Sequence, residues 1–177
     1  MGHGSRFPLV RFALVMLTAL VAAPGLAEMN PHLEPLRPLV GKTWRATLPG
    51  GTAVDVHRFE LVLNGQAVRS LHSVNDGVYG GEALLFWDEE KQAIASHYFT
   101  TAGFYTVGSF RIEEGWLVSH EIVHGNAGGI TEVRARSRVE PDGSLVVKVE
   151  HLKNGQWTPG GERRYVEDPK AVVRFKE

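Results

Sequence analysis

From Gly41 onward, apolar and polar residues alternate with a period of two, and turn chemistry interrupts them at even intervals. The interruptions are L-P-G-G (48–51), L-N-G-Q (63–66), N-D-G-V-Y-G-G (75–81), D-E-E-K (88–91), T-T-A-G (100–103), E-E-G (113–115), G-N-A-G-G (125–129), P-D-G (141–143) and K-N-G (153–155). The runs between them are rich in Val, Ile, Phe, Tyr, Trp and Thr, and none carries a helical period. Short strands spaced in this way predict an all-β chain, a single up-and-down antiparallel meander barrel of about ten strands. Pro31 to Val40 precedes it with three prolines. They keep that segment to a short helix or an extended lead-in.

Alternation also assigns faces. In the strand from Val54, His57, Phe59, Leu61 and Leu63 share one side, and Arg58 and Glu60 the other. From Thr131, Val133, Ala135, Ser137 and Val139 oppose Arg134, Arg136 and Arg138. In the next strand Leu145, Val147, Val149 and His151 oppose Lys148 and Glu150. An apolar face inward and a charged face outward is what a closed sheet requires. Ala83 to Trp87 is apolar on both faces, so part of the exterior is expected to be covered.

Two turns predict register. Asn64-Gly65 suits a two-residue type I′ hairpin, because both central positions need a positive φ. Glu60 then lies opposite Arg69 outside, and His57 opposite His72 inside, with Cβ atoms about 5 Å apart. Read as a three-residue loop with Gly115 left-handed, E-E-G pairs Phe110 with Val118 and Gly108 with His120. Trp116, Val118, His120, Ile122 and His124 are then expected on one, inward face, with Ser119 and Glu121 turned outward.

Composition narrows the class. Residues 1–27 read as a signal peptide: Arg6 and Arg11, an apolar run too short to span a bilayer, then P-G-L-A with a cut after Ala27. An uncleaved anchor is the alternative. The expected domain is therefore residues 28–177, periplasmic or secreted, touching a membrane only through the transient signal sequence. The chain has no cysteine, which excludes disulfides, thiolate zinc sites and a thiol nucleophile. A formal net charge of -1 leaves no basic excess for nucleic acid.

Val118 to Gly125 spells V-S-H-E-I-V-H-G, and His120, Glu121 and His124 match H-E-x-x-H. A zinc peptidase needs that motif on a helix, which places the two histidines about 6 Å apart. On a strand they stand roughly 13 Å apart, too far to share one metal. Glycine-bearing turns on both sides leave about nine residues, a strand length, so a protease is not expected. No nucleophile elbow or phosphate loop is present either.

The remaining candidates line the expected interior: Trp44, His57, Phe59, His72, Trp116, His120, His124 and His151. Imidazoles scattered among aromatic and aliphatic residues suit an apolar pocket with a few polar anchors. His57 and His72 are the candidate metal pair.

P-L-V-G-K-T-W-R-A (38–46), with Gly41-x-x-Trp44, resembles the opening of the calycins. The run F-W-D-E-E-K-Q-A-I-A-S-H-Y-F-T-T-A-G-F-Y-T-V-G (86–108) is similar to the middle of secreted bacterial lipocalin-like domains. Arg163 or Arg164 resembles the calycin arginine that packs on the opening tryptophan. The resemblance implies a barrel with an internal cavity. The expected function is non-catalytic binding of a small hydrophobic molecule. The alternatives are a haem- or metal-binding barrel, an enzyme using interior histidines, and a cell-envelope scaffold.

Overall fold

The computed structural model describes Met1 and residues 28–176; the expected signal segment and its cut lie outside the described residues. Ten strands follow the lead-in: β1 (Thr43–Thr47), β2 (Val54–Val62), β3 (Ala67–Val74), β4 (Tyr79–Asp88), β5 (Ala93–Thr100), β6 (Tyr105–Glu113), β7 (Trp116–His124), β8 (Ile130–Val139), β9 (Leu145–Lys153) and β10 (Gln156–Glu167). Each pairs antiparallel with its sequence neighbour, and β1 closes on β10, so the meander is a closed barrel without a free edge. This is the all-β architecture expected, consistent with a calycin-like fold.

The hairpin at Asn64-Gly65 sets the β2–β3 register. Gln66 N donates to the Leu63 carbonyl at 3.1 Å, and the central residues have φ of 52° and 85°. Glu60 pairs with Arg69 and His57 with His72. Leu63 departs from expectation. It is itself left-handed (φ 51°) and leaves the strand to stand 67% exposed instead of pointing inward.

The second hairpin corrects the reading of β6–β7. Glu114 and Gly115, with φ of 50° and 79°, form a two-residue turn that pairs Glu113 with Trp116. Phe110 therefore meets Ser119 and Gly108 meets Glu121, one residue away from the expected register. A one-residue slip exchanges the two faces of a strand. Leu117, Ser119 and Glu121 point inward, and Trp116, His120, Ile122 and His124 point out.

One half of the interior is a sealed apolar floor. The lead-in is a 3-10 segment, Pro31–Leu36, started by Asn30, whose side chain accepts from His32 N at 3.0 Å. It inserts Leu33 and Leu36, both fully buried, with Met29 and Leu39 among Trp44, Phe59, Val68, Leu85, Ile94, Leu117, Leu145 and Tyr165. Each such buried leucine contributes about 1.5–3 kcal/mol of apolar burial. Outside, the tail from Asp168 crosses β1–β3: Asp168 N bonds the Thr43 carbonyl (2.8 Å) and Arg174 N bonds Ser73 Oγ (3.1 Å). The strap leaves Ser73 only 2% exposed.

Candidate functional site

The other half of the interior is polar. Asp55, His57, Ser70, His72, Tyr79, Tyr98, Glu121, His151, Arg163 and Tyr165 point into it from β2, β3, β4, β5, β7, β9 and β10 by the alternation and register of those strands. His57, Tyr79, Tyr98, Glu121, His151 and Arg163 nevertheless keep accessible surface. These inward-facing, partly exposed side chains form the polar half of the barrel interior.

Three glycines stand against these side chains. A Cβ on Gly81 would sit 2.3 Å from the Tyr98 ring, one on Gly108 2.5 Å from Glu121 Cγ, and one on Gly160 2.5 Å from the His151 ring. Each glycine yields its space to a side chain of an adjacent strand. Gly108 also explains how Glu121 can be inside: no side chain competes with it from β6.

A continuous hydrogen-bond chain runs along one wall. Asp55 is 5% exposed and accepts from Tyr165 Oη at 2.8 Å. His72 Nδ1 lies 3.2 Å from Asp55 Oδ1 and Nε2 lies 2.6 Å from Tyr98 Oη. Tyr98 and Tyr79 hydroxyls are 3.1 Å apart. A carboxylate can only accept, so His72 Nδ1 carries a proton; with the ring neutral, Nε2 accepts from Tyr98, which accepts from Tyr79. Beside this chain, His57 stacks on Phe59 (centroids 4.3 Å apart) and its Nε2 meets Ser70 Oγ at 2.6 Å.

Proton affinities follow from these surroundings. Burial pushes the Asp55 carboxyl up, but the bond from His72, the His72 and His57 charges and the Tyr165 hydroxyl outweigh it, and the net shift is downward. His57 is held down to about 3, first by burial and then by the charges of His72 and Arg163, against a partial offset from Asp55. Burial also lowers His151, with Arg163 adding to it. Burial raises the Tyr98 hydroxyl, and Tyr79 raises it further, which suits its role as a hydrogen-bond donor to His72. Glu121 is raised by burial despite the hydrogen bond from Thr106.

The expected site residues divide. Trp44 pairs directly with His57, and His57 with His72, so these three and Phe59 are contiguous; Trp44 belongs to the sealed floor. His151 lies inward beside Gly160. Trp116, His120 and His124 are outside. Trp116 lies beneath the guanidinium groups of Arg136 and Arg138. His120 pairs with Glu132 at 2.5 Å, and His124 stacks on exposed Tyr105. The cation over Trp44 is Lys42, 5.3 Å from the ring centroid. Arg164 turns outward to Asp142.

Sequence reasoning missed Asp55, Ser70, Tyr79, Tyr98, Glu121 and Tyr165. For Asp55 a signal existed: it stands two residues before His57 on the same face. As a metal pair, His57 and His72 have one uncommitted ring nitrogen, Nδ1 of His57. Among the described residues no three His, Asp or Glu side chains converge as ligands. That donor set does not fit a zinc site, which takes three or four protein ligands. No family model and no curated protein matches this chain.

Proposed function

We propose that this barrel binds a small organic molecule in the polar half of its lumen, non-catalytically, as an exported, lipocalin-like protein of the periplasm or exterior. The observation that carries the reading is the wetted hydrogen-bond network above the apolar floor. Polar side chains are positioned on the strands of the wall, glycines leave room beside them, and Phe59, Val123 and Val133 supply apolar surface. A mostly apolar pocket with a few fixed polar groups is the usual form of a small-molecule site. The network favours a ligand with a polar end over a wholly apolar one. Export rests on the N-terminal pattern of Arg6, Arg11 and the short apolar run.

Native mass spectrometry of protein from its own compartment, and fluorescence titration with phenylnaphthylamine, test the reading. Val133→Trp fills the lumen and is expected to abolish probe binding; Ile122→Glu, on the outer face, is expected to leave it intact. Absence of both a co-purifying mass and probe binding defeats the proposal, as does binding that survives Val133→Trp in a folded variant.

The outer face supports a second reading. Leu84 (38%), Phe99 (56%), Tyr105 (41%) and Ile122 (44%) are exposed on β4–β7, and Leu84, His97, Val107 and Ile122 lie in one cross-strand row. Such a patch suits an envelope scaffold. A partner captured by wild type and lost with Phe99→Glu would favour that reading.

A further inference from the structure

Arg163 is a cation inside the barrel without a counter-ion. It pairs with Val147 between Gly161–Val149 and Tyr165–Leu145, all lumen-facing positions. Its neighbours send their charges outward, Glu162 to Lys148 and Arg164 to Asp142. Arg163 itself forms no ion pair among the described residues, and its Nε is buried without a hydrogen-bond partner.

Neither interior carboxylate is free to neutralise it. Asp55 is committed to His72 and Tyr165. Glu121 is bonded by Thr106 and holds its proton more tightly than usual because it is buried. The Arg163 charge meets neutral or repelling partners: the Tyr165 hydroxyl interacts with it, and it falls otherwise on imidazoles. It lowers the affinity of His57 and His151 for a proton, and it opposes the effect of burial on the Tyr79 and Tyr165 hydroxyls. A buried guanidinium N–H left without an acceptor is costly, and the cost is relieved when a ligand supplies an oxyanion.

We infer that the lumen selects small organic anions: the ligand carries a carboxylate or equivalent acidic group that seats on Arg163, with its apolar body toward Phe59. This rests on the lumen-binding reading and adds the charge of its ligand. Arg163 is suited to the task, since a guanidinium presents several donors in a plane to an oxyanion. With the imidazoles of His57 and His151 neutral and Asp55 already bonded by His72 and Tyr165, Arg163 is the inward charge left without an ionic partner.

Phenylnaphthylamine and its sulfonate, anilinonaphthalene sulfonate, share one skeleton and differ by a single anionic group. Wild type is expected to bind the sulfonate about tenfold or more tightly than the neutral probe, the worth of one charge-assisted bond. Arg163→Gln should abolish that preference while the neutral probe's affinity stays within about twofold, and Arg163→Lys should restore part of it. Raised salt should weaken only the sulfonate.

Equal binding of the two probes by wild type overturns the inference even if a variant misfolds. So does an Arg163→Gln that folds and loses both probes equally, which marks Arg163 as a packing residue. In either case phenylnaphthylamine still binds wild type and the lumen reading stands. If neither probe binds wild type, the lumen reading falls and the inference falls with it.

Discussion

His57 and His72 face each other across the β2–β3 ladder, ring centroids 5.5 Å apart and planes inclined by 48°, yet they serve different partners. Ser70 takes Nε2 of His57, while Asp55 and Tyr98 take both nitrogens of His72. Positive charge on one ring opposes it on the other, and Arg163 adds a third cation. Only Asp55 compensates, from the His72 side. The pair is therefore unequal: one imidazole is anchored to a carboxylate, and the other is kept neutral in a partly wetted apolar setting.

That inequality predicts an acid-sensitive fold. His57 titrates near 6.5 when unfolded and at about 3 in the barrel. Between those values the unfolded chain binds a proton that the native state refuses, so stability rises with pH there. Its contribution is present above about pH 6.5 and falls away as the pH drops toward 3, with a limiting slope of about 1.4 kcal/mol per pH unit. Asp55, lowered in the fold, loses its contribution in the same direction below about pH 4. Glu121, raised in the fold, opposes both, since its contribution fades as the pH rises. Urea midpoints at pH 7.5, 6, 5 and 4 should fall steadily, and His57→Phe should flatten the upper part of that curve. An unchanged slope in His57→Phe would remove His57 as the cause.

Asp55 is the hub of the wall, and its bonds are coupled. Asp55→Ala and Tyr165→Phe should each cost about 1.5–3 kcal/mol, the range for a hydrogen bond to a charged group. The double variant should cost less than the two together by about 1 kcal/mol or more, because the Tyr165–Asp55 bond is lost once, not twice. Strict additivity in urea unfolding would show that the 2.8 Å contact carries no energy.

What could be read from sequence depended on whether a turn had one solution. Asn64-Gly65 demands two left-handed residues, and that alone places His57 opposite His72. Glu113-Glu114-Gly115 admits loops of two or three residues, and the structure uses two. The strand after it, W-L-V-S-H-E-I-V-H, is apolar at both parities, so nothing within β7 could correct the slip. Burial of Glu121 depends on Gly108 in another strand, and cover for Trp116 on Arg136 and Arg138 of the adjacent β8. These are long-range facts with no local trace. Tyr98 and Arg163 entered the lumen for the same reason: each occupies space left by, or charge left over from, residues distant in sequence.

The exchange of faces on β7 has its own test. His120 and His124 point outward, so His120→Ala and His124→Ala should leave lumen-probe affinity and bound zinc unchanged. The His120–Glu132 pair is exposed enough that losing it should cost no more than about 1 kcal/mol. His72→Ala, by contrast, breaks the Asp55–Tyr98 chain and should weaken probe binding. Loss of binding in His120→Ala, with His72→Ala unaffected, would return β7 to the opposite facing.

Two glycines with nearly the same backbone should respond very differently to alanine. Gly65 has φ 85° and Gly143 φ 82°, so both substitutions incur the left-handed penalty of roughly 1–2 kcal/mol. At Gly143 nothing lies within 4 Å of the new Cβ, and that penalty is the whole expected cost. At Gly65 the Cβ would stand 1.9 Å from the Glu28 carbonyl oxygen, against backbone. The Gly65 carbonyl also accepts from Asn30 N at 2.9 Å, the bond that ties the lead-in to the β2–β3 turn. Relieving the clash must push the lead-in away and loosen the floor that Leu33 and Leu36 seal. Gly65→Ala should therefore destabilise by about 2 kcal/mol or more beyond Gly143→Ala, within the range of strain and cavity effects. Thermal unfolding of the two variants side by side measures the difference, and equal midpoints would mean that the lead-in is not held by this turn.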